Sequence, residues 1–358
     1  FDWSHLVGIF IAVSKSGGGK GTIWVDDVRM ENAPPVGQVP PQKSFEHVTG
    51  DMEIARKAAK WIASMQQKDG LILSYEGDNR PFAWTYDQGI CLIVLAHENR
   101  PAAEKLLEAL KRLQKPEGYW NDGFMLDTGA PYDLSEADKK KWFRSDVSAV
   151  RYEYDNRWIG SAAWVVLGIQ RYAEITGDRR YDDMMKKGAW WLATQQKPDG
   201  RLHDVTEGNM TSWHAMKNAG LYLESIRVRD YLLYKVWNED EGRFKVSTDN
   251  PQIYLDVQTW GASFAAAAGF PDNGLRSLAF AEKKLACKTA DGLVKGFDAT
   301  GPYSVWNEGT LQYIVAGGAG AADYLKEMNK QQRADGALQH SRENFEKSGA
   351  WHTSMYGV

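Results

Sequence analysis

The stretch Val305-Trp306-Asn307-Glu308-Gly309-Thr310-Leu311-Gln312 joins an aromatic residue and a carboxylate to the start of an apolar run. The turn signal Gly301-Pro302 precedes it, and a run of small residues from 311 to 322 follows. The stretch therefore predicts a loop that enters a helix, with Glu308 near the helix start. Trp306 stands two residues before Glu308, within reach of whatever the carboxylate touches.

The same order of aromatic loop, carboxylate and apolar helix recurs elsewhere in the chain. It is found in residues 84–89, 154–158 and 254–260. We interpret these segments, together with the stretch around Glu308, as loops that converge on one sugar-binding cleft.

The composition narrows the class of protein. The chain has 358 residues, 43% of them hydrophobic, which is enough for a sizeable core in one large domain or two ordinary ones. The formal charge is −4 and no basic block stands out, which argues against nucleic acid and anionic membranes as partners. No apolar run is long enough to span a bilayer. The two cysteines, Cys91 and Cys287, give no disulfide framework.

Aromatic residues are abundant and unusually placed. There are 15 Trp and 16 Tyr, and many of them stand beside Asp, Asn, Gln or Gly. Flat apolar rings next to hydrogen-bonding groups suit carbohydrates, whose rings have CH faces and hydroxyl edges. The alternative is that these tryptophans simply pack in the core of a large helical protein.

The first 44 residues differ from the rest. Residues 1–32 contain two β-branched runs separated by a loop rich in Gly and Ser, which predicts a β segment. The run from 23 to 30 resembles the last strand of carbohydrate-binding β-sandwich modules, so this segment is interpreted as the possible end of such a module or as a β appendage. Residues 33–44 contain Pro34-Pro35 and Pro40-Pro41 and predict a stiff linker.

From residue 45 to residue 358 the pattern is helical and repeats itself. Each copy ends an amphipathic helix with a polar segment and an acidic residue followed by Gly; Gln66-Gln67-Lys68-Asp69-Gly70 is nearly repeated as Gln195-Gln196-Lys197-Pro198-Asp199-Gly200. The six turns are Asp69-Gly70, Glu117-Gly118, Asp199-Gly200, Glu241-Gly242, Asp291-Gly292 and Asp335-Gly336.

Two kinds of helix alternate within the repeat. The first of each pair has one charged face and should face water, whereas the second is apolar nearly all round and should be buried. Six such pairs predict a mainly α fold, an (α/α)6 toroid in which outer helices cover a ring of inner ones. The inner helices are predicted to begin near Trp84, Arg157, Ser212, Val257, Asn307 and Trp351.

This layout resembles the (α/α)6 barrel of the six-hairpin glycosidases over residues 45–358. The segments around Asp155-Asn156, 255–261 and 306–310 are also similar to phrases in bacterial polysaccharide-active members of that superfamily. The resemblance implies a catalytic domain that hydrolyses glycosidic bonds. One departure concerns the third inner loop, where an acidic residue before a histidine is expected and Ser212-Trp213-His214 stands instead.

Glycoside hydrolysis needs two carboxyl groups, one protonated to donate to the leaving oxygen and one ionised. Glu308 is the predicted acid because Trp306 packs beside it and its side chain has the longer reach. Asp155 or Asp87 is the predicted base, with Asp155 preferred, because a helix N-terminus stabilises an ionised carboxylate. Asp256 fits the role of a helix cap better than a catalytic one, and Asp122 and Glu153 are reserve candidates.

Other residues of the predicted loops would contact the sugar. No Cys/His metal pattern or phosphate-binding loop stands out, so neither metal nor cofactor is predicted. The predicted substrate-binding residues are Trp84, Tyr86, Asn156, Arg157, Trp158, Trp213, His214, Asp256, Gln258, Trp260, Trp306, Trp351 and His352.

The predicted function is a glycoside hydrolase that cleaves a polysaccharide or oligosaccharide, with an inverting mechanism by analogy with the fold. Two alternatives remain open. One is a polysaccharide lyase or sugar epimerase on the same toroid, with His214 or His352 as acid/base groups in an epimerase and Arg157 as the only evident cation for a uronate. The other is a non-catalytic glycan-binding protein. A secreted or periplasmic monomer is expected, with no nucleic acid or membrane partner.

Overall fold

A computed structural model describes residues 44–46, 48–76, 82–126, 128–131, 157–203, 205–302 and 304–341. The predicted β segment 1–32 and nearly all of the linker 33–44 lie outside these ranges and stay predictions. The sixth inner helix, predicted to begin near Trp351, lies outside them as well.

Helices of two kinds alternate along the described part of the chain. The outer helices are α1 (Met52–Ser64), α3 (Arg100–Leu113), α5 (Asp182–Thr194), α7 (Tyr222–Tyr231, continued by a π-helical turn, Leu232–Val236), α9 (Pro271–Leu285) and α11 (Ala321–Asn329). The inner helices are α2 (Thr85–Glu98), α4 (Ile159–Thr176), α6 (Thr206–Asn218), α8 (Leu255–Ala267) and α10 (Asn307–Val315).

Outer helix α3 shows why the first helix of each pair faces water. Asn99 caps it by accepting a hydrogen bond from the backbone N–H of Ala102. Its leucines, including Leu106 and Leu110, are buried along one stripe, while Lys111 and Arg112 in the last turn are exposed and favour the negative end of the helix dipole.

Inner helices are enclosed because they are apolar on nearly every side. Val165, Val166 and Ile169 of α4 are all fully buried or nearly so. Helices α2 and α4 approach closely through glycine: a Cβ on Gly89 would collide with the backbone of Trp164, and one on Gly168 would collide with the carbonyl of Gly89. This contact fixes the start of α2 against α4.

A glutamine joins each of four turns to the next outer helix. The Gln114 side-chain amide, for example, donates to the carbonyls of Gly118 in its own turn (2.9 Å) and of Met184 in α5 (2.9 Å). The glycine of each of these turns has a positive φ and lies against that next helix, where a Cβ would strike a carbonyl. The other three glutamines bridge Gly70 to Ala102 (Gln66), Gly200 to Glu224 (Gln196) and Gly336 to Ile54 (Gln332).

The last of these bridges closes the ring. Gln332 follows α11, and its amide donates to the carbonyl of Ile54 in α1 at 3.1 Å. The neighbouring Gly336 packs against the carbonyl of Lys57 in the same helix. The sixth repeat is thus attached to the first, and the architecture is an (α/α)6 toroid, as the repeat predicted.

Two short antiparallel hairpins connect an outer helix to the next inner one: β3 (Trp237–Asn238) pairs with β4 (Arg243–Phe244), and β5 (Ala286–Lys288) with β6 (Lys295–Phe297). Strands β1 (Phe82–Trp84) and β2 (Gly123–Met125) are also antiparallel, but α2 and α3 lie between them, so this pair joins the loops before two successive inner helices. Within the described ranges no helix combines the length and the apolar character that a bilayer crossing requires.

Four predicted inner-helix starts are confirmed and one is wrong. Helices α2, α4, α8 and α10 begin within two residues of Trp84, Arg157, Val257 and Asn307. The third inner helix begins at Thr206, six residues before the predicted Ser212. The prediction was wrong because the first two turns of this helix are polar although they are buried, so no apolar run marks its start.

Closure of the ring can be tested at Gly336. Gly292 also has a positive φ but has open space around it, so Gly292→Ala should cost about 1–2 kcal/mol of unfolding free energy, the cost of a left-handed side chain. Gly336→Ala should cost clearly more, because the backbone of α1 must move as well. Chemical denaturation of the two variants measures the difference, and equal losses would contradict the proposed role of this contact.

Candidate active site

The inner helices begin at one end of the toroid, which we call the rim. The first backbone N–H of four of them donates to a carbonyl in the loop of the next repeat, which sets their starts side by side. The four bonds are Thr85 to Asp122 (2.8 Å), Thr206 to Val246 (2.9 Å), Leu255 to Ala299 (2.8 Å) and Asn307 to His340 (3.0 Å).

The fourth residue of each of these helices fixes the first turn from inside. Gln258 is fully buried, and its amide both accepts from the N–H of Phe244 (3.1 Å) and donates to its carbonyl (2.9 Å). The equivalent residues bond to the extended segment after their own glycine turn: Gln88 to Ile72, Asn209 to Leu202 and His203, and Thr310 to Phe297.

These bonds present one carboxyl group in the first turn of each of four inner helices. The groups belong to Asp87, Glu207, Asp256 and Glu308. Helix α4 has no acidic residue in its first turn, but Ser161 there donates to Asp122 at 2.5 Å, so a fifth carboxyl group occupies that position. The rim therefore carries carboxyl groups around its circumference.

Burial keeps two of these groups protonated at neutral pH. It raises the pKa of Asp87 to about 8, against a hydrogen bond from Ser74 and with help from the charges of Glu308 and Asp122. Burial likewise raises the pKa of Glu207 to about 8, with added repulsion from Asp256 and Glu308. Neither group is poised to act as a base at pH 7.

Asp256 differs because its pKa is raised less. Burial raises the pKa to about 6, the backbone N–H of Val257 opposes the rise, and the charge of Glu308 adds to it. Asp256 is thus mostly ionised at neutral pH. Tyr86 lies within electrostatic reach of all four helix-start carboxyl groups, and its own pKa is raised well above the usual value, mainly by burial.

Glu308 is partly exposed and has defined partners. Its side chain is 37% exposed. Gln312 donates to Oε1 at 3.2 Å, and His340 Nε2 lies 2.9 Å from Oε2. The indole N–H of Trp306 also donates to His340 Nε2, at 3.1 Å. His340 thus links the Trp306 indole to the Glu308 carboxyl group.

Aromatic residues flank the carboxyl groups. Trp84 and Trp158 are half-buried at the rim, and the Trp158 ring lies 4.8 Å from that of His203. Glu207 is close to Trp158, since a Cβ on Gly160 would touch both the Trp158 indole nitrogen and a Glu207 oxygen. These rings give the rim the polar and apolar mixture that suits a sugar.

A line of aromatic rings runs from the rim into the barrel. Trp164 lies edge-on to Tyr86 at 5.9 Å and to Trp260 at 5.2 Å between ring centroids. Beyond these rings is a cavity of about 280 Å³, which Trp164, Trp260 and His214 help to line. Burial and the charge of Lys217 lower the pKa of His214 to about 4, so His214 is neutral.

Several predicted contacts with sugar are corrected by these positions. Trp213 and His214 lie in the third turn of α6, and Trp213 is 97% buried, so neither is at the rim. Trp260 lies in the second turn of α8 and lines the cavity beyond Trp164. Both hydrogen-bonding groups of the Gln258 amide are bonded to the backbone of Phe244, and Trp306 is buried and contacts Glu308 through His340.

The remaining predicted residues fall into two groups. Tyr86, Asp87, Asp256, Glu308, Trp84 and Trp158 stand at the rim, while the Arg157 guanidinium lies over the ring of Tyr119, 5.7 Å from its centroid. Asp155, Asn156, Trp351 and His352 lie outside the described residues, so their roles stay predictions.

Two residues of the site, Glu207 and His340, were not predicted from the sequence. Glu207 supplies the acidic residue that the third inner loop had been expected to contain, and Glu207-Gly208 occupies the same helix positions as Glu308-Gly309. The repeated Glu-Gly pair could have identified Glu207 as a site residue from the sequence. His340 carries no such signal, because it lies 32 residues from Glu308 and only the ring brings the two together.

Comparison with known proteins supports the fold. No protein-family model and no curated protein sequence matches the chain. Among solved structures, it is similar to a glycosidase in complex with glucose (14% identity, 81% of this chain and 85% of that one, TM-score 0.59). It is also similar to cellobiose 2-epimerase from Bacillus thermoamylovorans (9%, 86% and 93%, TM-score 0.60) and to a rhamnosidase from Klebsiella oxytoca with rhamnose bound (12%, 75% and 52%, TM-score 0.50). At these identities the likeness establishes a shared toroid and no particular activity.

The raised pKa of Glu207 predicts a pH-dependent stability. Its folded-state pKa of about 8 lies above the ordinary 4.5, so the folded state binds the proton more tightly and loses stability as pH rises from about 4.5 through about 8. Glu207→Gln has no proton to lose. The melting temperature of this variant relative to the wild type should therefore rise by several degrees between about pH 5 and about pH 9.

Glu117→Gln, in an exposed turn, serves as the control for removing a surface carboxylate. A constant difference between Glu207→Gln and the wild type across this pH range would contradict the buried, proton-holding state of Glu207.

Proposed function

We propose that this chain is a glycoside hydrolase acting on a polysaccharide or oligosaccharide bound across the rim. The observation that carries the proposal is the pairing of an accessible Glu308, held by His340 and Gln312, with an ionised Asp256 among the same ring of carboxyl groups. Hydrolysis of a glycosidic bond requires one carboxyl group that donates a proton and a second one that is ionised.

Glu308 is the proposed general acid. Its exposed fraction lets a leaving-group oxygen reach it, and the His340 contact holds its carboxyl group in place. His340 is therefore a positioning residue for the acid, with Trp306 acting behind it. The half-buried tryptophans Trp84 and Trp158 are the proposed platforms for the sugar rings.

Asp256 is the proposed base among the described residues, and Asp155 remains the candidate that the sequence favours. Asp87 fits this role less well, because its carboxyl group is protonated at neutral pH. An inverting mechanism and a secreted or periplasmic monomer belong to the same proposal, by analogy with the superfamily.

Replacing the acid gives the first test. Glu308→Gln should lower turnover of the natural glycan about 10²–10⁴-fold while leaving glycan binding largely intact, because the amide keeps the shape and cannot deliver a proton. A substrate with a very good leaving group should partly rescue this variant, because it needs little protonation. Reducing-sugar release across a polysaccharide panel, with Glu117→Gln as the control, measures the loss. Near-normal turnover would move the acid role to another carboxyl group.

Replacing the base candidates gives the second test. The wild-type kcat/KM should rise with pH through about 6, as Asp256 ionises. Asp256→Asn should abolish this rise and most of the activity, whereas Asp87→Asn replaces a neutral group and should mainly weaken binding. If Asp256→Asn keeps the rise and Asp155→Asn removes it, Asp155 is the base.

An epimerase is the second candidate, favoured by the His340–Glu308 contact at 2.9 Å. A histidine at the rim could remove a proton next to the carbonyl of an open-chain sugar. Incubation of reducing disaccharides in D2O separates the two activities. Deuterium at the carbon next to the carbonyl without new reducing ends would indicate epimerisation, and unsaturated uronide absorbance would indicate a lyase.

A further inference from the structure

We infer that the toroid has a second binding site, in the cavity of about 280 Å³ beyond Trp164, and that this site takes a single uncharged sugar ring. The site lies toward the end of the barrel opposite the rim. It goes beyond the proposed function, because it is separate from the carboxyl groups and its occupation requires no hydrolysis.

The position of the cavity separates it from the carboxyl groups. The lining residues Trp164, Thr211 and Trp260 are each the sixth residue of an inner helix, whereas the helix-start carboxyl groups belong to the second or third residue. The lining continues to Arg171 and Glu174 in the last two turns of α4, and the side chains of these two residues are 45% and 58% exposed. The cavity therefore opens where the inner helices end.

Aromatic and aliphatic side chains give the cavity apolar walls. Trp164 and Trp260 are half-buried, and their ring centroids lie 5.2 Å apart with the ring planes at 64°. Ile93 and Leu167 also line the cavity and are half-buried. Two indole rings set at an angle to each other offer a flat apolar surface to the CH face of a sugar ring.

Polar groups with unused hydrogen-bonding capacity belong to the same lining residues. Gln170 is only 8% exposed; its amide nitrogen donates to the carbonyl of Ala215 at 3.0 Å, whereas its Oε1 atom has no hydrogen-bond partner among the described residues. The indole nitrogens of Trp164 and Trp260 are buried and equally lack a partner in the described part of the chain. A hydroxyl group both donates and accepts, so a ligand with several hydroxyls can serve an amide oxygen and an indole N–H together.

The charges in the lining favour an uncharged ligand. Arg171 and Glu174 form an ion pair at 3.0 Å, so their charges offset each other at the mouth. Farther from the mouth, burial and the charge of Lys217 lower the pKa of His214 to about 4, so its ring is neutral and offers one donor and one acceptor. These groups match hydroxyls better than they match a carboxylate or an ammonium group.

The volume of the cavity sets the size of the ligand. A cavity of ~150 Å³ holds benzene, and pockets for drug-sized ligands begin at about 300 Å³. A cavity of about 280 Å³ therefore has room for one sugar ring with its hydroxyl groups. A longer glycan does not fit inside it.

Methyl glycosides of glucose, galactose and rhamnose test the site, because the methyl group keeps each sugar in its ring form. Saturation-transfer NMR with the whole chain detects binding, and calorimetric titration measures the affinity. We expect at least one glycoside to bind, and cyclohexanol, a ring of similar size with one hydroxyl group, to bind about tenfold more weakly because it forms fewer hydrogen bonds. Equal affinity for cyclohexanol would overturn the assignment to a sugar, and absence of binding by all three glycosides would overturn the site.

Three variants test whether the glycoside binds in this cavity. Ser263→Phe fills the cavity from the wall that α8 provides and should abolish binding. His214→Ala removes one hydrogen-bonding ring and should weaken binding about two- to tenfold. Trp190→Ala removes a tryptophan that is exposed on the outer helix α5 and should leave the affinity unchanged.

A fourth variant separates the cavity from the rim. Trp84→Ala combined with Trp158→Ala removes the proposed sugar platforms at the rim and should leave the affinity for the glycoside unchanged. Melting curves show whether each variant is folded, and His214→Ala decides the question if Ser263→Phe does not fold. Binding that a folded cavity variant leaves at wild-type strength, or that the rim variant abolishes, would overturn the inference.

Discussion

The structure depends on hydrogen bonds that fasten each repeat to the next. On the outer side, the amides of Gln66, Gln114, Gln196 and Gln332 join a glycine turn to the following outer helix. At the rim, the first N–H of an inner helix binds the loop of its neighbour. A backbone N–H at a buried helix start has no partner within its own helix, so it must bond to another segment. Here that segment belongs to the next repeat, so the same bonds also fix the position of each repeat relative to its neighbour.

The site is a consequence of that geometry. A residue in the first turn of an inner helix must point toward the axis of the toroid or toward its neighbours, and four such residues are acidic. Burial raises the pKa values of Asp87, Glu207 and Asp256, and the charges of the neighbouring carboxyl groups add to the rise, which lowers the stability of the folded state at high pH. Because the rise is smaller for Asp256 than for Asp87 and Glu207, protonated and ionised groups stand side by side, which is what acid–base chemistry requires.

The contrast between Glu207 and Glu308 shows which site residues can be predicted from the sequence alone. Both are the second residue of an inner helix and both precede Gly. Glu308 was found because Trp306 and a clear apolar run frame it. Glu207 was missed because Thr206, Asn209, Thr211 and Ser212 around it are polar, although all four are buried. Thr206 donates to the carbonyl of Lys245 in a neighbouring loop, and Asn209 donates to the carbonyl of Val205.

The sequence by itself determined the toroid, since six glycine turns and the alternation of two helix types follow from periodicity and composition, which are local properties. It also determined that Asp87, Asp256 and Glu308 stand at helix starts. Only the tertiary structure decided which side chains meet there: His340 reaches Glu308 across 32 residues, while Gln258 and Trp213 turn into the core. It also decided which carboxyl groups hold a proton, because burial and the neighbouring charges, which set the pKa, exist only once the ring has closed.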